Sequence, residues 1–394
     1  MTLKHRIQQA SIDHFNEVVA IRRHLHANPE LSFEEYNTAE FIENQLKSWG
    51  YQTKRMAKTG VIALLKGHGN SAKTIALRAD IDALPIVEKS TATYCSINNG
   101  VMHACGHDVH TSSLLGVAKL LKEFTQDFDG TIKFIFQPGE EKIPGGASLL
   151  IAEGVLQNPK VDTIIGQHVM PLLPAGKVGF RKGMYMASAD EIYITIKGKG
   201  GHGAHPHTLI DPVAIGAQVI TALQQVVSRN AKPAIPSVLS IGKVIANGAT
   251  NIIPDEVYME GTFRTFDETW RAAAHDLIKK TVNGICEAMG ATADVEVRVG
   301  YPYLENDSEL TERAKQHAID YLGEENVTDL DIWPAGEDFA FYTREIPGTF
   351  YRLGIRNESK GIVSNLHTPT FDIDEDALLT SIGLMSYIAI KELE

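Results

Sequence analysis

Residues 109–136, VHTSSLLGVAKLLKEFTQDFDGTIKFIF, contain the two patterns that indicate the fold class. Val109–Phe124 has the apolar spacing of a helix, and Thr131–Phe136 is a short apolar run typical of a buried strand. The same alternation continues in both directions, with helical patterns at Phe15–Ala27 and Ala39–Trp49 and strand patterns at Thr74–Arg78 and Val161–Ile165. It predicts an α/β fold, in which a mostly parallel sheet is flanked by helices. Ligands of such sheets bind beyond the carboxyl ends of the strands.

The middle of the chain has a different order, strand–helix–strand–strand–helix–strand, which is that of the ferredoxin-like unit. Its expected elements are Asp190–Lys197, Ile210–Arg229, Ser237–Val244, Glu256–Thr265, Glu268–Met289 and Ala293–Val299. The first pattern then returns, with helices at Ser308–Leu322 and Glu375–Leu393 around a strand at Thr349–Gly354. We therefore predict a larger α/β domain of residues 1–186 and 300–394, with residues 187–299 inserted as a ferredoxin-like domain.

Composition excludes several classes of protein. The 394 residues exceed what one hydrophobic core usually serves, so two domains are expected. The formal charge of −12 and the lack of a basic block argue against nucleic acid as a partner. No apolar run reaches the roughly 18 residues of a membrane span, and the first residues do not resemble a secretory signal. Three scattered cysteines fit a reducing compartment. We therefore expect a cytoplasmic enzyme with neither a nucleic acid nor a membrane partner.

The segment from His103 to His110 places three imidazoles, one thiol and one carboxylate within eight residues. Thiolate and imidazole are preferred ligands of borderline-soft divalent cations, so the segment indicates one wall of a metal site. Further donors follow other predicted strands, namely Glu140 and Glu141, His168 and His367. Taken singly, each has a structural explanation: a hydrogen-bonded histidine, a solvated acidic loop or a buried cysteine. The Cys105-x-His107 spacing favours the metal interpretation.

Several longer motifs, in order along nearly the whole chain, resemble a known family. They are Arg22-Arg23-His24-Leu25-His26, Pro29-Glu30-Leu31, Leu77-Arg78-Ala79-Asp80-Ile81-Asp82-Ala83-Leu84-Pro85, Gly100-Val101-Met102-His103-Ala104-Cys105-Gly106-His107-Asp108, Gln137-Pro138-Gly139-Glu140-Glu141 and Gly336-Glu337-Asp338-Phe339. The chain is similar to the co-catalytic zinc metallopeptidases that include carboxypeptidase G. Within them it resembles the amidohydrolase and aminoacylase branch, with hippurate hydrolases, indoleacetyl-amino-acid hydrolases and N-acetyldiaminopimelate deacetylases.

This resemblance implies a site for two divalent metal ions per subunit, zinc or manganese, with cobalt or nickel as alternatives. Its ligands would be Cys105, His107, Glu141, His168 and His367, and the Cys105 thiolate would bridge the two ions. The resemblance assigns Glu140 as the general base that takes a proton from water. It also implies that Asp80 orients His107. His110 either reaches the surroundings of the site or only starts the helix at Val109, and we expect the second.

For the inserted domain the resemblance implies a lid and dimerisation role. His202 would donate a hydrogen bond to the developing oxyanion, Asn251 would bind substrate through its amide, and Arg264 would bind a substrate carboxylate. Without the resemblance, the same residues would be an exposed turn, a loop cap and a surface charge. The expected assembly is a homodimer or a higher homo-oligomer formed through this domain.

The implied activity is hydrolysis of the amide bond of N-acyl-amino acids, which yields a carboxylic acid and an amino acid. Alternatives of the same chemistry are a dipeptidase or carboxypeptidase and an N-acetyldiaminopimelate deacetylase. A different class would be a metal-free hydrolase with Cys105 as the nucleophile. A third hypothesis is a non-catalytic protein with a structural zinc. Against it, Glu140 beside Glu141 supplies a base that such a site does not need.

Overall fold

A computed structural model describes all residues, 1–394, and the chain divides into two compact units. Unit 1 consists of Met1–Tyr185, Glu305–Ile332 and Asp338–Glu394. Unit 2 consists of Met186–Leu304 and Trp333–Glu337. None of the helices combines the length and the apolar composition that crossing a lipid bilayer requires. The catalytic and lid roles expected for the two parts stay predictions.

Nine α-helices are present: α1 (Leu3–Ala27), α2 (Tyr36–Ser48), α3 (His107–Leu121), α4 (Gly146–Ala152), α5 (Pro212–Asn230), α6 (Glu268–Ala288), α7 (Ser308–Leu322), α8 (Ala340–Glu345) and α9 (Ala377–Leu393). Helix α1 begins twelve residues before the predicted Phe15, because its early turns bury only Ile7, Ala10 and Ser11 and so carry a sparse apolar pattern. Helices α3 and α9 are buried along nearly their whole length.

Sixteen strands are present: β1 (Thr53–Met56), β2 (Gly60–Lys66), β3 (Thr74–Asp80), β4 (Thr131–Gln137), β5 (Thr163–Pro174), β6 (Val178–Phe180), β7 (Gly183–Met186), β8 (Asp190–Lys197), β9 (Gly201–His202), β10 (Ser237–Ile245), β11 (Ile252–Ile253), β12 (Glu256–Thr265), β13 (Thr292–Val299), β14 (Leu304–Asn306), β15 (Val327–Asp329) and β16 (Gly348–Arg356). The main strands agree with the sequence patterns. The short ones, such as β9, β11 and β14, lack enough apolar residues to form a pattern.

Unit 1 is built on an eight-stranded sheet with the order β1-β2-β4-β3-β5-β16-β6-β15. The central strands β4, β3, β5 and β16 are parallel to one another, while β1 and β2 form an antiparallel edge. Helices α1, α3 and α9 pack together, and α3 and α9 also contact β3. The mostly parallel sheet flanked by helices is therefore confirmed.

Unit 2 has its own four-stranded antiparallel sheet, in the order β10-β12-β8-β13. Helices α5 and α6 pack on this sheet, and the core between them consists of unit 2 side chains alone. The six main elements follow the predicted order, and β8 and β12 have the predicted bounds.

Strand β5 differs from its prediction in a way that affects the site. The apolar run stops at Ile165, but the strand continues to Pro174 and places His168 opposite Arg352 of β16. Its polar residue Gln167 is buried because it accepts a hydrogen bond from Tyr351 Oη (2.8 Å) and donates one to Ser381 Oγ (2.5 Å). His168 therefore lies inside a strand, whereas the sequence pattern placed it after one.

Candidate metal centre

The turn before helix α3 sets the positions of Cys105 and His107. Gly106 lies between them with φ +83°, a left-handed conformation that favours glycine. A Cβ atom at this residue would lie 2.5 Å from Val169 Cγ2. The glycine therefore allows the thiol and the imidazole to flank a sharp turn at the start of a buried helix.

All five predicted ligands come together in unit 1. Cys105 Sγ lies 3.4 Å from His168 Nε2 and 3.3 Å from His367 Nε2. Glu141 Oε1 lies 3.3 Å from His367 Nε2 and 4.0 Å from His107 Nε2. Residues that are up to 262 positions apart in the chain thus form one cluster of a thiol, three imidazoles and a carboxylate.

The donor atoms in this cluster fit divalent cations. His107 Nδ1 faces Asp82 Oδ1 at 3.1 Å and His168 Nδ1 faces the Val169 carbonyl oxygen at 2.8 Å, so in each neutral imidazole Nδ1 is the hydrogen-bond donor and Nε2 carries the lone pair. His107 Nε2 and Glu141 Oε1 are buried and make no hydrogen bond. A soft or borderline metal ion beside the thiol would satisfy both of these buried atoms, because each can act as a metal ligand.

The electrostatics of the cluster also favour a cation. Burial raises the pKa of the Cys105 thiol well above its usual range, and the Glu141, Glu140 and Asp80 carboxylates raise it further. Burial alone would lower the pKa of His107, but Asp80, Asp82 and Glu141 outweigh it and raise that pKa to about 10. The carboxylates in and beside the cluster therefore create a negative electrostatic potential there.

The carboxylate that orients His107 is Asp82, and the assignment of this role to Asp80 is wrong. Asp80 Oδ1 instead accepts a hydrogen bond from His110 Nδ1 (2.6 Å), and its Oδ2 accepts one from Arg78 Nη1 (2.7 Å). The closest approach of Asp80 to His107 is 3.8 Å, to Nε2, the atom that faces the cluster. Asp82 bonds to the opposite ring nitrogen and so fixes the ring.

His110 belongs to the surroundings of the site, contrary to our expectation. It lies in the first turn of α3, but its Nε2 accepts a hydrogen bond from the Val169 amide (2.9 Å) and its Nδ1 faces Asp80. Its ring centroid is 4.6 Å from that of His168. His110 thus supports the part of β5 that carries one of the candidate ligands.

The candidate base Glu140 lies in the turn that follows β4, next to Glu141. A carboxylate oxygen of Glu140 lies within 4.8 Å of a ring nitrogen of His107 and of a carboxylate oxygen of Glu141. The amide of Asp338 donates a hydrogen bond to Glu140 Oε1 at 3.4 Å. Glu140 is thus buried beside the donor cluster without being needed as one of its five ligands.

A buried hydrogen-bond network that was not expected from the sequence lies next to Glu140. Asp338 accepts hydrogen bonds from Arg78 Nη2 (2.7 Å), Gln137 Nε2 (2.8 Å) and the Ala147 amide (3.0 Å). Arg78 Nε donates to Gln137 Oε1 at 2.9 Å. Arg78, Gln137 and Asp338 all belong to the motifs quoted above, so the sequence contained a signal for them. Only the fold shows that these side chains connect β3, β4 and the segment before α8.

The three predicted residues of unit 2 fall into two places. His202 in β9 pairs with Ile252, and the Asn251 carbonyl accepts a hydrogen bond from the Gly203 amide at 2.9 Å, so His202 and Asn251 are neighbours on an exposed surface. Arg264 is the second-last residue of β12. The Gly200 amide next to β9 instead donates a hydrogen bond to Asp255, the residue before β12, and Asp255 is nine residues, about 30 Å by strand rise, from Arg264.

Known proteins are similar to this chain over most of its length. The family model described as peptidase family M20/M25/M40 matches residues 76–391. The N-acyl-L-amino acid amidohydrolase of Geobacillus stearothermophilus is 48% identical over 286 residues, 72% of this chain and 76% of the relative. The N-acetyl-L-cysteine deacetylase of Bacillus subtilis is 42% identical over 364 residues, 92% of this chain and 85% of the relative.

A solved structure is also similar over nearly the full length. It is the Bacillus subtilis YXEP protein, described as a dinuclear metal binding peptidase from the M20 family. It superposes with a TM-score of 0.82 and 37% identity, covering 97% of this chain and 99% of that one.

Proposed function

Because this chain belongs to peptidase family M20/M25/M40, we propose that it hydrolyses the amide bond of N-acyl-amino acids with the help of two divalent metal ions. The chain is a hydrolase, as its relatives with amidohydrolase and deacetylase activity indicate. The products would be a carboxylic acid and a free amino acid.

The observation that carries this proposal is the convergence of five donors with a separate carboxylate, Glu140, beside them. A structural zinc site is normally closed by four ligands and needs no base. A cysteine hydrolase needs one imidazole next to its thiol, whereas Cys105 faces both His168 and His367. The proposed ligands are Cys105, His107, Glu141, His168 and His367, and the proposed ions are zinc or manganese, with cobalt or nickel as substitutes.

Ions bound at such a site polarise a carbonyl and lower the pKa of water. The chain supplies the remaining steps. Glu140 accepts a proton from the attacking water and returns it to the leaving nitrogen. Asp82 keeps the His107 ring in the orientation that turns Nε2 toward the site. Cys105, His107 and His168 are buried, which strengthens the electrostatic interactions on that side of the cluster.

We assign substrate binding to unit 2. His202 would donate a hydrogen bond to the developing oxyanion, Asn251 would donate its amide, and the fork of Arg264 suits a substrate carboxylate. Since His202 and Asn251 lie near the Asp255 end of β12 and Arg264 lies near the other end, about 30 Å along the strand, we infer that one copy does not bring all three to one small substrate. A homodimer through unit 2, with His202 supplied by the partner, would reconcile the positions.

The proposal is tested by exhaustive removal of metal, followed by addition of zinc, manganese, cobalt or nickel. Each form is assayed against N-acetyl- and N-benzoyl-amino acids, N-acetyldiaminopimelate and a free dipeptide. We expect no turnover without metal and the highest kcat/KM on an N-acyl-amino acid. Full activity of the metal-free protein would contradict the mechanism, and a preference for the dipeptide would identify a peptidase.

A further inference from the structure

The turn that carries Glu140 and Glu141 is held from outside by two buried carboxylates. Glu35 Oε1 accepts a hydrogen bond from the Gly139 amide at 2.8 Å, and Asp82 Oδ2 accepts one from the Glu141 amide at 3.0 Å. Both carboxylates are fully or almost fully buried. The backbone on either side of Glu140 is thus fixed by acceptors that belong to other parts of unit 1.

Glu35 does not serve the helix that follows it. It is the residue before α2, but its side chain makes no capping hydrogen bond with the first turn of that helix. Instead, Oε1 accepts from the Phe33 and Gly139 amides, and Oε2 accepts from Thr59 Oγ1 at 2.7 Å. These partners are two backbone amides and a hydroxyl, and none of them is a cation. Capping therefore does not explain why a carboxylate is buried here.

Phe33 and Gly139 interlock next to this hydrogen bond. Both have positive φ, +68° for Phe33 and +58° for Gly139. A Cβ atom at Gly139 would lie 2.3 Å from Phe33 Cε1. The Phe33–Glu35 segment thus packs directly on the turn and bonds to it, which leaves that turn little freedom to shift.

We propose that Glu35 is a positioning residue for hydrolysis, which fixes Glu140 and Glu141 by accepting the hydrogen bond of the Gly139 amide. The inference rests on the proposed function, in which Glu140 moves the proton. Retaining Glu35 has a thermodynamic cost, because burial and the nearby Asp82 raise its pKa to about 7. An amide side chain of the same length would avoid that cost and keep the acceptor.

Two substitutions with side chains of similar length distinguish the loss of the hydrogen-bond acceptor from the loss of packing. Glu35→Met fills the space without an acceptor, whereas Glu35→Gln keeps Oε1 for the Gly139 amide. We expect kcat of Glu35→Met to fall ~10²-fold with little change in KM, since small displacements of a catalytic group have effects of that size. Glu35→Gln should restore kcat to within a few-fold of the wild type. Hydrogen exchange of the Gly139–Glu141 amides should be faster in the Met variant only.

Glu30 provides the matched control. Its carboxylate accepts hydrogen bonds from the Asn37 and Thr38 amides at the start of α2 and does not contact the turn. Glu30→Met should lower the Tm, yet leave kcat and the exchange of the turn unchanged. Glu35→Ala replaces Glu35→Met if the latter does not fold.

Each outcome decides a distinct question. Wild-type kcat and unchanged exchange in Glu35→Met would overturn the inference, as would a Gln variant as impaired as the Met variant or an equal loss of kcat in Glu30→Met. If the wild-type protein hydrolyses none of the substrates, the proposed function fails instead. The exchange of the Gly139–Glu141 amides then still tests whether Glu35 holds the turn.

Discussion

Asp80 and Asp82 contact different histidines at the candidate metal centre, His110 and His107 respectively. They lie two positions apart at the end of β3, and both belong to one motif. The sequence therefore places two carboxylates at the right edge of the sheet. Which of them reaches His107 depends on where β3 ends and on the rotation of the following turn, and those are set by packing against residues far away in the chain. The cluster of donors was predictable, whereas the hydrogen bonds around it were not.

The role of Asp82 predicts the effect of Asp82→Asn. The amide oxygen can still accept from His107 Nδ1, but the new NH2 group would face the Glu141 amide and the Ser32 hydroxyl, both of which now donate to Oδ2. We expect metal affinity to fall about 10–100-fold, as for other partners of metal-bound histidines. Titration against a chelator of known affinity measures this. An equal or larger loss in Asp80→Asn would contradict the assignment.

Glu140 and Glu141 are adjacent but should respond differently to substitution. Glu140→Gln removes the base while leaving the five donors, so we expect normal metal content with kcat lowered by ~10²-fold or more. Glu141→Gln removes a donor and should lose metal. Metal analysis of the dialysed proteins, together with kcat, distinguishes the two. Retained turnover in Glu140→Gln would mean that another group is the base.

The raised pKa of Glu35 predicts a dependence of stability on pH. Burial and Asp82 raise this pKa from 4.5 to about 7 in the folded chain. Between these values the folded state binds the proton that the unfolded state has lost, so the free energy of unfolding falls as pH rises. Glutamine does not titrate. The free energy of unfolding of Glu35→Gln, relative to that of the wild type, should therefore rise by roughly 3 kcal/mol between pH 4.5 and pH 7.

Urea unfolding of both metal-free proteins at several pH values measures this difference. Because all other groups are shared, their titration cancels in the comparison. A difference that stays constant across that range would show that Glu35 has an ordinary pKa.

At the level of helices and strands, buried polar residues made element bounds harder to predict than weak helix or strand propensity did. The inserted strands and helices were predicted to within a few residues because each has a clear apolar face. Strand β5 was cut short at Gly166 because its buried polar residues interrupt the apolar pattern. Those residues are tolerated only because tertiary partners satisfy them, and such partners are invisible in the local sequence.

The start of α3 predicts a coupling between Gly106 and Val169. Gly106→Ala places a methyl group in a left-handed conformation and against Val169, so we expect a loss of at least about 2 kcal/mol in the free energy of unfolding. Val169→Ala removes the atom that the new Cβ would meet at 2.5 Å. The double variant should therefore lose about 1 kcal/mol less than the sum of the single ones. Additive losses in urea unfolding would show that the clash is relieved elsewhere.

For the whole molecule, the change in element order predicts an insertion of residues 187–299, whereas unit 2 consists of Met186–Leu304 and Trp333–Glu337. The segment Trp333–Glu337 was not expected from the sequence because it joins unit 2 through backbone contacts: the Ala187 amide donates to the Trp333 and Ala335 carbonyls. Main-chain pairing of this kind leaves no pattern of side chains to detect.

Because unit 2 has a hydrophobic core of its own, we predict that it folds without the rest of the chain. Residues 186–304 contain every member of that core and the complete four-stranded sheet. We expect this fragment to unfold cooperatively on heating, with the circular dichroism of a mixed α/β protein. Gradual melting, or hydrogen exchange without protected amides in β8 and β12, would contradict independence.

The position of β16 has a consequence for synthesis on the ribosome. This strand lies between β5 and β6 in the sheet, yet it is made after the whole of residues 187–304. At a synthesis rate of roughly 5–20 residues per second, many seconds pass between the synthesis of β5 and that of its neighbour β16. During that interval a nascent chain presents an unpaired strand edge, which is a site for aggregation or for chaperone binding. The inserted unit can fold first, so the unit that begins at residue 1 is the last to be completed.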